Sequence, residues 1–340
     1  MVPKRNRARH RSACTRTPRA LIVENVTEGP ADPVPQRDAA EVFEARRPRL
    51  LSLAYRLTGS VADAEDAVQD SWLRLAGADL ATIDDPDAWL TTVTTRVCLD
   101  RLRSAAVRRE RYVGQWLPEP IVRPLASAEP DPLDAVIAAG DVRLALMVVL
   151  DTLPPAQRTA LVLHDVFDVP FARIAEILDA TPAAARQHAS RARRAVAALP
   201  EPISPPEHDA VIERLHTAIR GGDLNDVVAA LHADVEFVGD ADGTTPTALR
   251  GPDHVARFLL GLAHRYGGAA IASLEPVAVN GGLGFVAGPA MPPRVTAFSV
   301  ADGRVRAVYD VANRAKHRGV RLGQDSAFTH GTRQESVEKP

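Results

Sequence analysis

FARIAEILDATPAAARQHASRARRAV, residues 171–196, contains two apolar periodicities separated by one break. In its first half Phe171, Ile174, Ala175 and Leu178 recur at i, i+3, i+4 and i+7, one face of a short helix. Asp179-Ala180 turns the chain, Thr181 supplies an N-cap hydroxyl, and Pro182 falls at the first helical position, where its missing N–H costs little. In the second half Ala185, Ala189, Ala192 and Val196 recur at i, i+4, i+7 and i+11, the buried side of a second helix. The opposite side carries Arg186, Gln187, Ser190, Arg193 and Arg194, with Arg191 alongside. Two helices on a tight turn, the second basic and rich in donors, meet the requirements of a major-groove reader. Arg and Gln bond bidentately to guanine and adenine edges, and further arginines hold phosphates. The plainer reading of the same residues is a helical hairpin with a solvated basic face.

Working outward, a helical block runs from Pro132 to about Leu199, bounded by Pro-rich stretches at 117–133 and 200–206. Both stretches read as linkers. From Asp38 to about Tyr112 the pattern is again helical. Leu50, Leu53, Ala54 and Leu57 mark one buried face, Thr58-Gly59 ends that helix, and Ser60 caps the next. That next helix buries Ala64, Ala67, Val68 and Trp72 and lines another face with Asp63, Asp66 and Asp70. Asp84-Asp85-Pro86 opens a further helix holding Trp89, Leu90, Val93, Val97 and Leu102.

The net charge of −2 conceals a segregated pattern. Residues 60–90 carry eight acids against Arg74 alone, and residues 96–111 then carry six arginines against Asp100 and Glu110. A basic run with Trp89, Tyr112 and Trp116 nearby suits opened nucleic acid, where the backbone is tracked and bases stack; a solvated helix end is the plainer reading. The acidic stripe fits a basic protein partner or, more simply, a solvated face. His164-Asp165 sits inside a helical pattern and reads as structural.

From His208 the style changes to a small α+β region. A helix with Val211, Leu215, Ala218 and Ile219 ends at Gly221-Gly222, and a second covers Leu224 to Leu231. Strand-like pieces follow at Val235–Val238, Ile271–Val279, Leu283–Ala287, Arg294–Val300 and Arg304–Val311, with a hairpin turn at Ala301-Asp302-Gly303. Helices followed by strands predict a curved antiparallel sheet.

The chain of 340 residues needs two or three domains, and 46% hydrophobic with 25% charged residues is a globular balance. No apolar run approaches the roughly 18 residues of a membrane span. Two cysteines, Cys14 and Cys98, support neither a disulfide framework nor a thiolate zinc site, and the histidines lack metal-ligand spacing. Phosphate-binding loops, dinucleotide fingerprints and nucleophile elbows are absent from the sequence. No cofactor, metal, membrane or catalytic role is expected, and the location expected is cytoplasmic.

Taken together, these segments resemble a bacterial sigma factor of the extracytoplasmic-function (ECF) class. LSLAYRLTGS at 51–60 with DAEDAVQD at 63–70 is similar to the first half of sigma region 2, and WLTTVTTRVCLDRLRS at 89–104 to its second half. Residues 171–196 are similar to region 4. WLPEP at 116–120 matches the linker motif of the subgroup with a fused C-terminal SnoaL-like domain, which residues 208 to about 311 resemble. The resemblance implies a multidomain fold: two all-α sigma domains plus a C-terminal α+β cone-shaped barrel of the nuclear-transport-factor-2-like superfamily. It divides the chain into a disordered tail (1–37), region 2 (38–115), a linker (116–133) and region 4 (134–199). A Pro-rich linker (200–207), the SnoaL-like domain (208–318) and a second tail (319–340) complete it.

The resemblance also implies partners: core RNA polymerase, through its β′ clamp helices and β flap, and promoter DNA, duplex at the −35 element and opened at −10. The chain would act as a monomer. By the same resemblance Asp63, Asp66 and Asp70 dock the polymerase, and Arg96, Arg101, Arg103, Arg108 and Arg109 engage the −10 element. Arg186, Gln187, Ser190, Arg191, Arg193 and Arg194 read the −35 element. Trp116, Leu117, Pro118, Glu119 and Pro120 meet the C-terminal domain, together with Asp242 and Gly243. That domain would tune activity in cis. Two family motifs are altered: Asp-Gly-Gly-Gly-Lys is here Asp242-Gly243-Thr244-Thr245-Pro246, and Asn-Pro-x-Lys-Leu is here Asn313-Arg314-Ala315-Lys316-His317. Weakened C-terminal contacts are therefore expected. Two competing readings are a ligand-sensing helix-turn-helix regulator, and an enzyme using Glu236, Asp240 or His254; fold alone does not carry an activity.

Overall fold

A computed structural model describes residues 39–110, 115–126, 131–138, 141–240, 248–288, 290–322, 326 and 328. The 1–37 tail and the Asp242-Gly243 stretch lie outside the described residues. The N-terminal part is helical: α1 (Ala39–Glu44), α2 (Arg47–Thr58), α3 (Val61–Ala76) and α4 (Pro86–Glu110). Helix α2 ends where Gly59 takes a φ of 69°, a left-handed value that glycine adopts at little cost. Ser60 then caps α3, its Oγ accepting from Asp63 N at 3.1 Å.

The apolar spacing of α2 predicts one buried face, yet every residue from Leu50 to Thr58 is buried. Helices α3 and α4 pack on it, and so do α5 (Pro132–Ala138), α6 (Leu144–Thr152) and α7 (Pro155–Leu161). Arg56 is enclosed and bonds Ser52 Oγ, while Arg158 reaches the Leu57 carbonyl at 2.7 Å and Asp151 at 2.9 Å. A wide helical turn, Val162–Val166, leads on to α8 (Phe171–Leu178) and α9 (Pro182–Val196).

The C-terminal part sets α10 (Pro205–Gly221), α11 (Leu224–Ala230), α12 (Pro252–Tyr266) and α13 (Gly268–Ala272) with a seven-stranded sheet. Its strands are β1 (Val122–Pro124), β2 (Leu231–Asp240), β3 (Ala248–Arg250), β4 (Glu275–Val279), β5 (Gly282–Val286), β6 (Val295–Ala301) and β7 (Arg304–Val311). They lie in the order β1-β4-β5-β6-β7-β2-β3. The sheet is mixed rather than antiparallel throughout: β2 runs parallel to β7, with Phe237 opposite Val308. The helices and strands between them supply the long crossover that a parallel pair needs. Asn280-Gly281 and Asp302-Gly303, all with positive φ, close the β4–β5 and β6–β7 hairpins.

Several further expectations are corrected. The Ile271–Val279 piece is split, because Gly267 and Gly268 open the short α13 and the strand begins only at Glu275. Helix α12, which buries Val255 and Ala256, fills a stretch where no element was expected. Pro205 and Pro206 open α10 behind a capping box of Ser204 and Glu207, and so are helix rather than linker. The fourth correction is the largest. Leu117 to Arg123 are all buried, and Val122–Pro124 pairs antiparallel with β4, Val122 opposite Val279. Proline runs read as flexible when nothing covers them, and here the C-terminal sheet and α2 do. The 319–340 tail is in part packed as well: Arg321 N donates to Val122 O at 2.9 Å, and Phe328 is buried.

Candidate functional site

Helix α9 presents its basic side to solvent. Arg186, Gln187, Arg191, Arg193 and Arg194 are exposed and Ser190 is half-buried, while Ala185, Ala189 and Ala192 are wholly buried against their surroundings. The turn is built as the spacing implies: Asp179 takes a φ of 53°, and Thr181 Oγ1 accepts from Ala184 N at 3.2 Å. Two of the arginines are engaged within the chain. Arg193 bonds both oxygens of Asp165, at 2.7 and 2.5 Å, a pairing that raises its pKa, and Arg186 lies 5.8 Å from the centre of the Phe171 ring. Asp165 thus anchors a residue of the basic face.

On α3, Asp63, Asp66 and Asp70 converge on one cation, Arg101 of α4, at 3.6, 3.3 and 2.8 Å. Burial pulls the Arg101 pKa down, but the three carboxylates outweigh it and the net shift is upward. The structure therefore places Arg101 with the acidic stripe. Arg96 is exposed; Arg103 is exposed and bonds Asp100 at 3.0 Å. Arg108 and Arg109 lie on α4, with side chains outside those described.

The third cluster surrounds residues 116–121. Leu117 N donates to Asp240 Oδ2 at 2.8 Å, and Leu117 O accepts from Lys316 Nζ at 2.6 Å. Lys316 also pairs with Asp240, their side chains 3% and 0% exposed, and sits 3.3 Å from the centre of the Trp116 ring. The altered Asn313–His317 stretch nevertheless delivers its lysine to Leu117 O and Asp240. Its missing proline is replaced by a short helical turn, Arg314–Gly319, capped by Asn313.

Glu119 bridges to the acidic helix. Its carboxylate accepts from Ser60 Oγ at 2.8 Å, Val61 N at 2.8 Å and Ala62 N at 3.3 Å, at the α3 N-terminus where a negative charge is favoured. Burial still raises its pKa, against those three hydrogen bonds. Glu119 O accepts from Tyr55 Oη at 2.7 Å, and Pro118 and Pro120 are buried beside it. Sequence reasoning missed Asn280. Its Oδ1 accepts from Ile121 N at 3.0 Å, and its Nδ2 donates to Tyr55 Oη at 2.9 Å and Val142 O at 2.8 Å. One side chain at a hairpin turn thereby ties α2, the 116–121 segment and the approach to α6. The Asn280-Gly281 dipeptide marks the turn in the sequence; its partners are not marked.

The enzyme candidates do not assemble. Asp240 is committed to Lys316, Glu236 pairs with Arg250 at 3.2 Å, and His254 is exposed with Nδ1 on the Arg250 carbonyl. Among the described residues, no cluster of His, Cys, Asp or Glu could hold a metal ion, and no helix is long and apolar enough to cross a membrane.

A helical core, a helix-turn-helix with an exposed basic helix and an appended α+β unit define a multidomain DNA-binding protein. Comparison with known proteins narrows this. The family descriptions of sigma-70 region 2 and sigma-70 region 4 match residues 42–108 and 143–196. ECF RNA polymerase sigma factor SigJ of Mycobacterium tuberculosis is 53% identical over 303 residues, 85% of this chain and 96% of SigJ. The probable ECF sigma factor SigI of the same species is 34% identical over 222 residues, 64% of this chain and 74% of SigI. The crystal structure of M. tuberculosis SigJ superimposes with a TM-score of 0.72 at 50% identity, covering 84% of this chain and 100% of that one. The chain belongs to the ECF sigma factor family. Sigma factors are transcription initiation factors and not enzymes.

Proposed function

We propose that this chain binds core RNA polymerase and directs initiation at promoters carrying matched −35 and −10 elements. The observation that carries the reading is the exposed basic face of α9 on a turn built for groove insertion, in a chain that belongs to this family. Arg186, Gln187 and Ser190 read base edges of the −35 duplex, and Arg191 and Arg194 hold phosphates. Arg193 joins them as the residue oriented by Asp165. Arg96 and Arg103, with Arg108 and Arg109 further along α4, track the opened −10 strand.

Asp63, Asp66 and Asp70 dock the β′ clamp helices of the polymerase, whose basic side chains compete with Arg101 for the carboxylates. In this role Arg101 braces the acidic stripe and is not a primary DNA contact. The region around α7 to α9 meets the β flap. The C-terminal part acts in cis by gripping Trp116 to Pro120, and Glu119 transmits that grip to the N-terminus of the docking helix. Catalysis belongs to the polymerase.

The test is run-off transcription with purified core polymerase over a promoter library. The native chain is expected to yield transcripts that require its addition. A chain with Asp66→Arg and Asp70→Arg is expected to fold normally, lose polymerase association and yield none. Association retained by that variant would remove the docking role.

A further inference from the structure

His164 and Asp165 sit on the wide helical turn Val162–Val166, a geometry that recurs at functional sites. Both act on the same edge of α9. Asp165 takes Arg193 in a two-pronged bond, Oδ2 accepting from Nε at 2.7 Å and Oδ1 from Nη2 at 2.5 Å. His164 Nδ1 donates to the Val169 carbonyl at 3.1 Å, and its ring lies 3.9 Å from that of Phe171, centre to centre. Phe171 in turn backs Arg186, whose guanidinium carbon is 5.8 Å from the ring centre. Arg186 and Arg193 are seven residues apart, about two helical turns, and so share one edge of α9. Adjacent residues of one turn therefore brace both arginines of that edge from within the chain.

An acid at this place needs a reason. The Arg193 and Asp165 side chains are 45% and 29% exposed, and an ion pair so exposed adds little to stability. For attracting DNA, Asp165 is unfavourable: it cancels the Arg193 charge and repels phosphates. What it supplies is orientation. It occupies Nε–H and one N–H of Nη2, which leaves the two end-on N–H groups, one on each terminal nitrogen, as a parallel fork. Two oxygens of a phosphate match such a fork. Arg193 lies in the last turn of α9, beyond the N-terminal residues that meet base edges in a helix-turn-helix, so the DNA backbone is the partner its place suits. A phosphate bond made in one fixed direction sets the register of the helix on the duplex. The same arginine, unbraced, would pair with any phosphate within reach. We propose that Asp165 is a positioning residue for promoter specificity: it holds Arg193 as a fork aimed at one phosphate of the −35 duplex, so that Arg193 fixes the register of α9 and adds little to binding elsewhere. This inference rests on the −35 reading of α9.

The test uses the full chain assembled with core polymerase. Its probes are the promoter fragment that gives the strongest run-off signal and a random-sequence fragment of the same length. Asp165→Asn keeps the shape and removes the charge. It should bind the random fragment more tightly and the promoter no more tightly, so that the ratio of the two affinities falls about three- to tenfold. Asp165→Glu should restore most of that ratio. Arg193→Ala should lower it as well, and Asp165→Asn added to Arg193→Ala should lower it no further. A purely structural role would weaken binding to both fragments in parallel. Methylphosphonate, placed at each −35 phosphate in turn, should weaken the native complex most at one position, and Arg193→Ala should remove that effect. An unchanged ratio in Asp165→Asn, parallel losses on both fragments, or no phosphate whose effect depends on Arg193 would each overturn this inference and leave the −35 reading standing. A native chain that favours neither fragment would overturn both.

Discussion

Helix α9 and the segment from Trp116 to Pro124 are both short and both central to the proposed function, yet they are held by opposite means. The helix is defined by near neighbours: a left-handed residue, a threonine cap, a proline at the first turn and an alanine face repeating within 15 residues. The segment has almost no local structure. Its hydrogen bonds reach Asp240, Asn280 and Lys316, between 123 and 199 positions away. The solvent-facing basic helix rests on local rules here, and the contacts that join parts of the molecule rest on partners far along the chain.

The contrast can be broken most forcefully at Lys316. Lys316→Ala removes the ammonium paired with the buried Asp240 carboxylate, and should cost about 3–5 kcal/mol in urea unfolding. The pair replacement Asp240→Asn with Lys316→Met should cost much less. Equal losses would mean that the pairing itself contributes little. Next in size, Glu119→Ala strips an acceptor from Ser60, Val61 and Ala62 and should cost about 2 kcal/mol, read by the same unfolding curves; a neutral result would detach the segment from α3. On the α9 side, Arg186→Ala with Gln187→Ala should leave unfolding unchanged and weaken −35 duplex binding by about 1–3 kcal/mol for each base that is no longer read. Binding that weakens equally on every sequence would reassign both residues to phosphates.

The smallest effect concerns pH. Burial lowers the pKa of His317, which bonds the Val311 carbonyl at 2.9 Å beside Phe328. The folded chain thus binds this proton less readily than the unfolded chain, whose histidine titrates near 6.5. The stabilisation is complete above that value and declines as pH falls below it. Acidification from neutrality should therefore weaken the packing of the C-terminal turn, and His317→Phe should flatten that slope in thermal melts followed by tryptophan fluorescence.

This difference also explains what was legible in the sequence. The caps at Ser60 and Thr181, the break at Gly59 and the hairpin at Asp302-Gly303 are all local conflicts with L-residue geometry or helix continuity, so residue type alone marks them. The acidic stripe is legible as a stripe; its partner Arg101, some thirty residues later, is not. Residues 116–133 read as linker because prolines remove donors and periodicity, and β1 depends on an edge that only β4 offers. Complete burial of α2 was hidden for the same reason, since its outer residues are covered by segments far along the chain. Helix α12 is another matter: Val255, Ala256, Leu259 and Ala263 carry a helical period, but the glycines and prolines around it mask its ends.

The most direct test of the account compares run-off transcription by core polymerase with the native chain and with Lys316→Ala, at a temperature where both remain folded. If Trp116 to Pro120 is the joint through which the C-terminal part controls the docking helix, both chains should initiate at the same sites, with transcript amounts differing several-fold. Identical amounts from two folded chains would contradict that coupling.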